Sequence, residues 1–303
     1  MPNNIYDVVI IGAGIAGMSC SLYLKRNNLN ILLIENKTPG GQINYTSMIE
    51  NYPGFTKIDG VSFNMNVLEQ LKLLDIIPKY YDIKEIKRSK SYKKIITTKE
   101  EILCKNIVIA TGRSPKKLGL ENEDKFIGKG ISWCSFCDGN LYKDKEVIVI
   151  GGGSSSLEEA LYLSNICSKV TIINKNDYFK SDKVLLDKVL NNKKITIMYE
   201  ANITNYIDDG SKIIGIKVIQ NNIECEIDAS CVFIYIGYKP NSAIIESMKV
   251  KLVDDYIVTN NKGETNIKGI YACGDVVKQD FYQIILAASS GVNVALNIIK
   301  KLA

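Results

Sequence analysis

The chain has 303 residues, of which 46% are hydrophobic and 23% charged, and its net charge is +5. That length allows two globular domains of ordinary size. The sequence contains no histidine, which excludes histidine-based catalytic triads and zinc proteases of the H-E-x-x-H type. Its lysines are dispersed along the chain, as is typical of a solvated surface, so we expect no nucleic-acid partner.

The N-terminal apolar run, Ile5 to Ile11, is interpreted as a buried strand. It is short, includes Asp7 and ends at Gly12, which argues against a secretion signal. We find no stretch of the roughly 18 to 20 apolar residues needed to span a membrane, so we expect a soluble protein without a membrane partner. Cysteine usage then favours the reducing cytoplasm. Cysteines in apolar or strand-like sequence are predicted to be buried: Cys20, Cys104, Cys167, Cys225, Cys231 and Cys273.

The first recognisable unit is a strand, a glycine-rich turn, a helix and a second strand. The strand Ile5–Ile11 leads into Gly12-Ala13-Gly14-Ile15-Ala16-Gly17, a helix is predicted over Met18–Arg26, and the strand Ile31–Ile34 ends at Glu35. This pattern predicts a dinucleotide site, because its glycines permit the turn, the approach of the backbone to a pyrophosphate and close helix packing. Glu35 is the acid expected to bind ribose hydroxyls.

The same pattern returns in the second half of the chain. The strand Val147–Ile150 precedes Gly151-Gly152-Gly153-Ser154-Ser155-Ser156, a helix is predicted over Leu157–Leu163, and the strand Val170–Ile173 ends at Asn174. One such motif is weak by itself, but two in matching contexts predict two nucleotide-binding domains.

A second internal sequence similarity predicts where the chain crosses between domains. Ile107–Pro115 and Val232–Pro240 each read as a buried strand that ends in Gly-x-x-Pro. We therefore expect crossovers near 113–116 and 240–244, with the second domain inserted into the first. Segments rich in β-branched residues are predicted as small antiparallel meanders: 78–105 and 195–231.

Between the two glycine motifs lies Cys134-Ser135-Phe136-Cys137, followed by Asp138. A C-x-x-C dithiol is a reversible two-electron store, because the thiolate of one cysteine is stabilised by the other thiol and by nearby amides. In a chain without histidine, Asp138 is the natural proton donor or acceptor. The alternatives are half of a zinc site, which would need a second C-x-x-C that the sequence lacks, and a structural disulfide.

These motifs together resemble the low-molecular-mass thioredoxin reductases over nearly the whole chain. Further segments carry the resemblance: Pro39-Gly40-Gly41-Gln42, Glu50-Asn51-Tyr52-Pro53-Gly54-Phe55, Ala110-Thr111-Gly112 and Cys273-Gly274-Asp275. The resemblance implies an α/β fold of two Rossmann-like domains, with an FAD-binding domain at 1–113 and 243–303 and an NAD(P)-binding domain at 114–242.

The resemblance also implies an activity, the reduction of thioredoxin. Electrons would pass from NADPH through FAD to the dithiol, with Cys137 facing the flavin and Cys134 attacking the thioredoxin disulfide. The inserted domain would rotate between the two steps, because the nicotinamide and the dithiol cannot share the reactive face of the flavin. A homodimer is expected from the resemblance alone.

The residues expected to bind FAD come from both parts of the first domain. They are Gly12, Gly14, Ile15, Ala16, Gly17, Glu35, Asn36, Gly40, Gly41, Gln42, Asn51, Ile83, Ala110, Thr111, Gly112, Gly274, Asp275, Gln283 and Ile284. By resemblance Asp275 binds the ribityl chain. A helix predicted over Gln283–Lys301 would direct its N-terminal dipole towards negative charge on the reduced flavin. Tyr282 stands where an arginine is common in the family.

The residues expected to bind the nicotinamide nucleotide lie around the second glycine motif. They are Gly151, Gly153, Ser154, Ser155, Ser156, Glu158, Asn174, Lys175, Lys180, Ile236 and Gly237. Family members that use NADPH carry a histidine and arginines where this chain has Asn174, Lys175 and Lys180, and lysine lacks the bidentate fork of arginine. NADPH is therefore the first expectation for the donor, with NADH and reduced ferredoxin as alternatives. A flavin-binding redox sensor without turnover is a further alternative.

Overall fold

The structure, a computed structural model, describes residues 5–46, 49, 51–89 and 92–302, with the side chains of Tyr45 and Cys137 outside that description. The chain divides into two compact units. The first unit comprises Met1–Ser114 and Lys239–Ala303, and the second comprises Pro115–Tyr238. The boundaries predicted from the sequence were 113/114 and 242/243.

The strands, in chain order, are β1 (Ile5–Ile11), β2 (Ile31–Glu35), β3 (Lys79–Tyr80), β4 (Ile83–Arg88), β5 (Lys93–Thr97), β6 (Glu101–Ile109), β7 (Arg113–Pro115), β8 (Ile131–Ser132), β9 (Glu146–Ile150), β10 (Lys169–Ile173), β11 (Ile195–Met198), β12 (Ala201–Asp208), β13 (Ile213–Gln220), β14 (Ile223–Asp228), β15 (Cys231–Ile234), β16 (Tyr238–Pro240), β17 (Leu252–Val253), β18 (Tyr256–Ile257) and β19 (Ile270–Ala272). The α-helices are α1 (Ile15–Arg26), α2 (Gly60–Lys72), α3 (Ser135–Asp138), α4 (Ser154–Ser164), α5 (Lys183–Leu190) and α6 (Ile284–Leu302).

The first unit is built on a sheet with the order β3-β2-β1-β6-β5-β4, in which β19 also pairs with β6. β1 runs parallel to both β2 and β6. Side chains of β1 alternate between two cores, because successive residues of a strand point to opposite faces. Val8 and Ile10 pack in the core that includes residues of α1, α2 and α6, and Val9 and Ile11 pack in the core on the other face.

Two helices of the first unit pack very closely. A Cβ placed on Gly291 of α6 would lie 2.1 Å from the backbone oxygen of Ala16 in α1.

The prediction that no stretch of the sequence is long and apolar enough to span a membrane is wrong for α6. An 18-residue window of that 19-residue helix has a mean hydropathy of 1.3, so the helix is long and apolar enough by length and composition to cross a membrane. Of that window 33% is buried, and the buried face packs in the core of the first unit.

The second unit combines a parallel five-stranded sheet, with the order β11-β10-β9-β15-β8, and an antiparallel sheet of β12, β13 and β14. Val147 and Val149 of β9 pack in the core that includes α4 and α5, whereas Ile148 and Ile150 pack in the core with the antiparallel sheet.

Each predicted meander begins one strand too early. β3 pairs in parallel with β2, and β11 pairs in parallel with β10, so both belong to the central sheets. A short apolar strand has the same composition in either setting, and its pairing depends on the tertiary fold. β4 to β6 and β12 to β14 are antiparallel.

Both helices that follow the glycine motifs start earlier than predicted. α1 begins at Ile15 and α4 at Ser154, each directly after a glycine in an extended conformation. Their first turns contain small residues, so hydrophobic periodicity did not reveal them.

The prediction that six cysteines are buried was wrong for Cys225, which is half-buried because it lies on β14.

Candidate active site

The first glycine turn leaves no room for side chains on its inner side. A Cβ on Gly12 would lie 2.3 Å from the oxygen of Ala110, and one on Gly17 would lie 1.9 Å from the oxygen of Gly12. Gly14 precedes α1 without a side-chain cap, and no heavy atom lies within 4 Å of a Cβ placed there. An uncapped helix N-terminus that faces open space fits a pyrophosphate.

Glu35 ties the end of β2 to this turn. Its Oε2 accepts a hydrogen bond from the amide of Ala13 at 2.8 Å. Its Oε1 accepts from the amides of Asn36 at 2.8 Å and Lys37 at 2.9 Å. These bonds fix the carboxylate at the edge of the glycine turn, where an acidic ribose ligand is expected.

The loop from Pro39 to Gln42 lies beside the same turn, since the amide of Gly40 donates to the oxygen of Ala13 at 2.7 Å. Gly40 has a φ of +107°, and a Cβ there would lie 2.4 Å from Nδ2 of Asn64. Asn64 is buried, and its Nδ2 donates to the oxygen of Pro39 at 2.9 Å. The contact of Asn64 was not predicted, because a single asparagine in a helix gives no signal of a loop contact. A Cβ on Gly41 would lie 3.8 Å from the Cα of Gly14.

Asp275 lies in a cluster with two other residues of the first unit. Its Oδ2 is 3.3 Å from Nε of Arg113 and 3.4 Å from Nε2 of Gln42. Burial raises the pKa of Asp275, while the charge of Arg113 and the bond from Gln42 act in the opposite direction. The guanidinium of Arg113 also stacks on Tyr282, 4.0 Å from the ring centre. The contacts of Arg113 were not predicted from the sequence, which indicated only a crossover at this position.

Further hydrogen bonds hold predicted FAD ligands of the first unit, and one of these bonds joins two of the predicted ligands. Nδ2 of Asn51 donates to Oε1 of Gln283 at 3.2 Å, next to the start of α6. Oγ1 of Thr111 donates to the oxygen of Asn241 at 2.7 Å, and Nδ2 of Asn241 donates to the oxygen of Thr111 at 2.9 Å. The amide of Gly274 donates to Oγ of Ser290 at 2.8 Å.

Three further residues predicted to bind FAD take part in hydrogen bonding or packing within the first unit. Gly112 accepts a hydrogen bond from the amide of Asn241 at 2.9 Å. Ile83 and Ile284 are partly buried and pack against the two cores of the first unit.

The second glycine turn has the same construction. A Cβ on Gly151 would lie 2.5 Å from the oxygen of Tyr235, and a Cβ on Gly153 would meet no heavy atom within 4 Å. α4 begins after Gly153 without a side-chain cap. The hydroxyl of Ser156 is buried and donates to the oxygen of Gly153 at 2.7 Å, so it stabilises the turn. The uncapped amides of α4 again fit an anionic ligand.

Lys180 lies next to this turn. Its amide donates to the oxygen of Gly152 at 2.8 Å, and its oxygen accepts from Oγ of Ser154 at 3.4 Å. The side chains of Lys175 and Lys180 are both exposed. Other predicted nucleotide ligands, Ser155 and Glu158, are exposed on the first turns of α4, and Ile236 and Gly237 follow β15.

Asn174 is placed differently from the sequence expectation. It is fully buried, its Nδ2 donates to the oxygen of Tyr178 at 2.8 Å, and its Oδ1 accepts from the amide of Asn176 at 3.1 Å. Its side chain therefore shapes the loop after β10 instead of facing solvent. The spacing from the glycine turn identified the position but gave no information about the local hydrogen bonds.

The dithiol segment forms the short helix α3 in the second unit. Cys134 is disulfide-bonded, and the side chain of Cys137 lies outside the described part of the structure. Oγ of Ser132 donates to Oδ2 of Asp138 at 2.6 Å and accepts from the amide of Cys134 at 3.0 Å. Ser132 thus links the predicted acid to the predicted nucleophile, a role that sequence reasoning missed.

No group of three or more histidine, cysteine, aspartate or glutamate side chains is arranged to hold a metal ion among the described residues.

Comparison with known proteins identifies the family. The model for pyridine nucleotide-disulphide oxidoreductases matches residues 6–291. The chain belongs to this family. The thioredoxin reductase of Bacillus subtilis is 36% identical over 289 residues, covering 95% of this chain and 92% of the relative. That of Mycoplasma genitalium is 37% identical over 298 residues, covering 97% and 94%.

A solved structure supports the same assignment. The thioredoxin reductase of Lactococcus lactis, in its FR conformation, has a TM-score of 0.84 and 35% identity, covering 97% of this chain and 98% of that one. The sequence predictions of two FAD/NAD(P)-binding Rossmann-type domains and of a thioredoxin-disulfide reductase are confirmed. Members of this family use FAD and a pyridine nucleotide, and the glycine turns of both units fit such ligands.

Proposed function

We propose that this oxidoreductase transfers electrons from NADPH, through FAD and a Cys134–Cys137 disulfide, to thioredoxin or a thioredoxin-like protein. The observation that carries the proposal is the state of the cysteines. Cys134 is disulfide-bonded, whereas the cysteines outside the C-x-x-C segment are free. Cys137 is the proposed disulfide partner of Cys134, because the two cysteines form the C-x-x-C motif that this chain shares with thioredoxin reductases.

The first unit is proposed to bind FAD. The uncapped start of α1 would hold the pyrophosphate, and Glu35 would hold the ribose. Gln42 and Asp275 would contact the flavin end, and the start of α6 after Gln283 would favour negative charge there. FAD, when bound, supplies a two-electron carrier between a nicotinamide and a disulfide. Support comes from the contacts of Gln42 and Arg113 with Asp275, which hold its carboxylate in place.

The second unit is proposed to bind the nicotinamide nucleotide at the start of α4. The open position at Gly153 leaves room for a phosphate against the helix amides. Lys180 and Lys175 would supply positive charge for a 2′-phosphate, and Lys180 is supported by its backbone bond to Gly152. No acid takes the position of Asn174, where an aspartate or glutamate would repel that phosphate. NADPH is therefore preferred over NADH.

At the dithiol, Cys134 is proposed to attack the thioredoxin disulfide and Cys137 to resolve the mixed disulfide. Asp138 is proposed to donate and accept the protons that these steps require. Its carboxylate is held by the hydroxyl of Ser132, which also binds the amide of Cys134. Rotation of the inserted unit about the crossovers is proposed to alternate access to the flavin, as in the family that the chain resembles.

A cytoplasmic homodimer is proposed as the working form. Support comes from a groove of about 290 Å³ on the first unit, lined by residues that include Tyr23, Val67, Ile285 and Val292. Tyr23 and Ile285 are exposed there, and exposed apolar side chains that form a patch are typical of protein interfaces. Sedimentation should give twice the chain mass; a monomer at working concentration would contradict this part of the proposal.

The donor is tested by anaerobic mixing of the purified flavoprotein with NADPH or NADH, with the flavin absorbance followed by stopped flow. We expect rapid bleaching by NADPH and slower bleaching by NADH. The reverse order would contradict the role assigned to Lys175 and Lys180. Failure with both nucleotides would reject a nicotinamide donor, and reduced ferredoxin would then be tried. Bleaching without any thioredoxin reduction would favour a redox sensor.

A further inference from the structure

Two hydrogen bonds from Ser135 hold the dithiol turn in the second unit. Ser135, which follows Cys134, is fully buried, and its hydroxyl donates to Oε2 of Glu159. The amide of Ser135 donates to the hydroxyl of Tyr235 at 2.8 Å. Burial and the nearby charge of Glu159 raise the pKa of Tyr235. Ser135 is thereby bonded to Glu159 through its hydroxyl and to Tyr235 through its amide.

These two bonds join the dithiol turn to two elements of the proposed nucleotide site. Ser135 is the first residue of α3, and Glu159 lies on α4, directly after Glu158. Tyr235 follows the last residue of β15 and directly precedes Ile236. The position of the turn is therefore set by residues that are adjacent in the chain to proposed nucleotide ligands.

We propose that Ser135 and Tyr235 are positioning residues for the dithiol, and that Glu159 places a half-buried negative charge beside the turn through its bond to Ser135. The inference rests on the proposed function in treating Cys134 as the reactive thiol. It goes beyond that function because it assigns a second carboxylate, besides Asp138, to the control of the dithiol.

Burial raises the pKa of Glu159, while the hydrogen bond from Ser135 and the nearby hydroxyl of Tyr235 act in the opposite direction. The other titratable groups that influence this carboxylate are Glu158, on the same helix, and Tyr162, one turn further along. A carboxylate disfavours a second negative charge nearby, so an ionised Glu159 should disfavour the thiolate of Cys134.

This charge has a consequence for the redox couple. Two electrons and two protons convert the disulfide into two thiols, and one proton fewer is taken up when one sulfur remains a thiolate. In the proposed function the reduced flavin supplies the electrons. Because the carboxylate disfavours the thiolate, the reduced dithiol loses the stabilisation that ionisation would give. The couple is thereby kept strongly reducing, as a donor to thioredoxin requires.

The test measures how readily Cys134 ionises. The flavoprotein is reduced with dithiothreitol, freed from it and alkylated with iodoacetamide over about pH 6 to 10, a range that brackets an ordinary thiol. Mass spectrometry follows the peptide that contains Cys134. Glu159→Gln retains the shape of the side chain and removes its charge. We expect the midpoint of the rate profile to fall by about one pH unit, a tenfold change in the acid dissociation constant.

Two variants make the test specific. Glu159→Asp retains the charge, so its midpoint should stay near that of the wild type. Asp187→Asn removes a charge from the exposed side of α5, and its midpoint should also stay near that of the wild type. An unchanged midpoint in Glu159→Gln, or an equal fall in Asp187→Asn or Glu159→Asp, would overturn the inference. Chemical reduction separates this result from the proposed function, which fails independently if NADPH does not support thioredoxin reduction.

Discussion

Replacing Gly12 by alanine tests the account of the first glycine turn. Gly12 has a φ of +106°, and the added Cβ would lie 2.3 Å from the oxygen of Ala110. That oxygen belongs to the backbone directly after β6, whose last residue, Ile109, pairs with Ile11 of β1. Relief of the clash would therefore require a shift of paired backbone, which is more costly than rotation of a side chain.

The expected loss of folding free energy in Gly12→Ala has two separate contributions. A left-handed conformation costs an alanine about 1 to 2 kcal/mol relative to glycine, and overpacking adds about 1 to 3 kcal/mol. Gly54 is the matched control, because its φ is +107° but a Cβ there would meet no heavy atom within 4 Å. Gly54→Ala should therefore show only the conformational cost, and the difference between the two variants, about 1 to 3 kcal/mol, measures the contact.

The assay is urea unfolding followed by circular dichroism for the wild type, Gly12→Ala and Gly54→Ala, with bound flavin measured by absorbance. Gly12→Ala should lose more stability than Gly54→Ala and retain less flavin, because α1 can no longer approach the pyrophosphate. Equal losses of stability in the two variants, or full flavin occupancy in Gly12→Ala, would refute the reasoning.

Three further predictions follow from the described contacts. Burial raises the pKa of the Cys104 and Cys273 thiols to about 12 from 9.0. Their contribution to the free energy of unfolding is therefore complete below about pH 9 and is lost as the pH rises towards 12. When the pH is raised, the urea midpoint of the variant with both cysteines replaced by alanine should fall less than that of the wild type, and an equal fall would contradict this. Lys180→Ala should raise the KM for NADPH about tenfold and leave the KM for NADH almost unchanged. Lys188→Ala, an exposed control on α5, should change neither KM. A parallel rise in the KM for both nucleotides in Lys180→Ala would count against a 2′-phosphate contact. Asp138→Asn should slow thioredoxin reduction by about 100-fold or more while flavin bleaching by NADPH keeps its rate in stopped flow, and an unchanged turnover would remove Asp138 from proton transfer.

Local patterns in the sequence predicted the elements that bind through the backbone. The apolar run of β1 and the spacing of Gly12, Gly14 and Gly17 are sufficient to predict a strand, a turn and a helix, because steric rules act over a few residues. The edge strands β3 and β11 were assigned to the wrong sheets, since strand pairing depends on contacts between distant segments.

Side-chain partners that are distant in the chain could not be predicted in the same way. Arg113 and Asp275 are separated in the chain by the whole second unit, and the sequence offers no periodicity that relates them. The contact of Ser135 with Glu159 depends in the same way on the packing of α3 against α4. Asn174 shows the converse, because its position matched the motif whereas its amide is engaged by its own loop.

The most direct test of the relay is the consumption of NADPH, followed by its absorbance, when oxidised thioredoxin is added to the wild type and to Cys137→Ser. The account predicts steady consumption by the wild type. It predicts none above the thioredoxin-free rate in Cys137→Ser, although NADPH still bleaches the bound flavin of that variant. Sustained thioredoxin-dependent consumption by Cys137→Ser would show that electrons reach thioredoxin without the dithiol and would contradict the central claim.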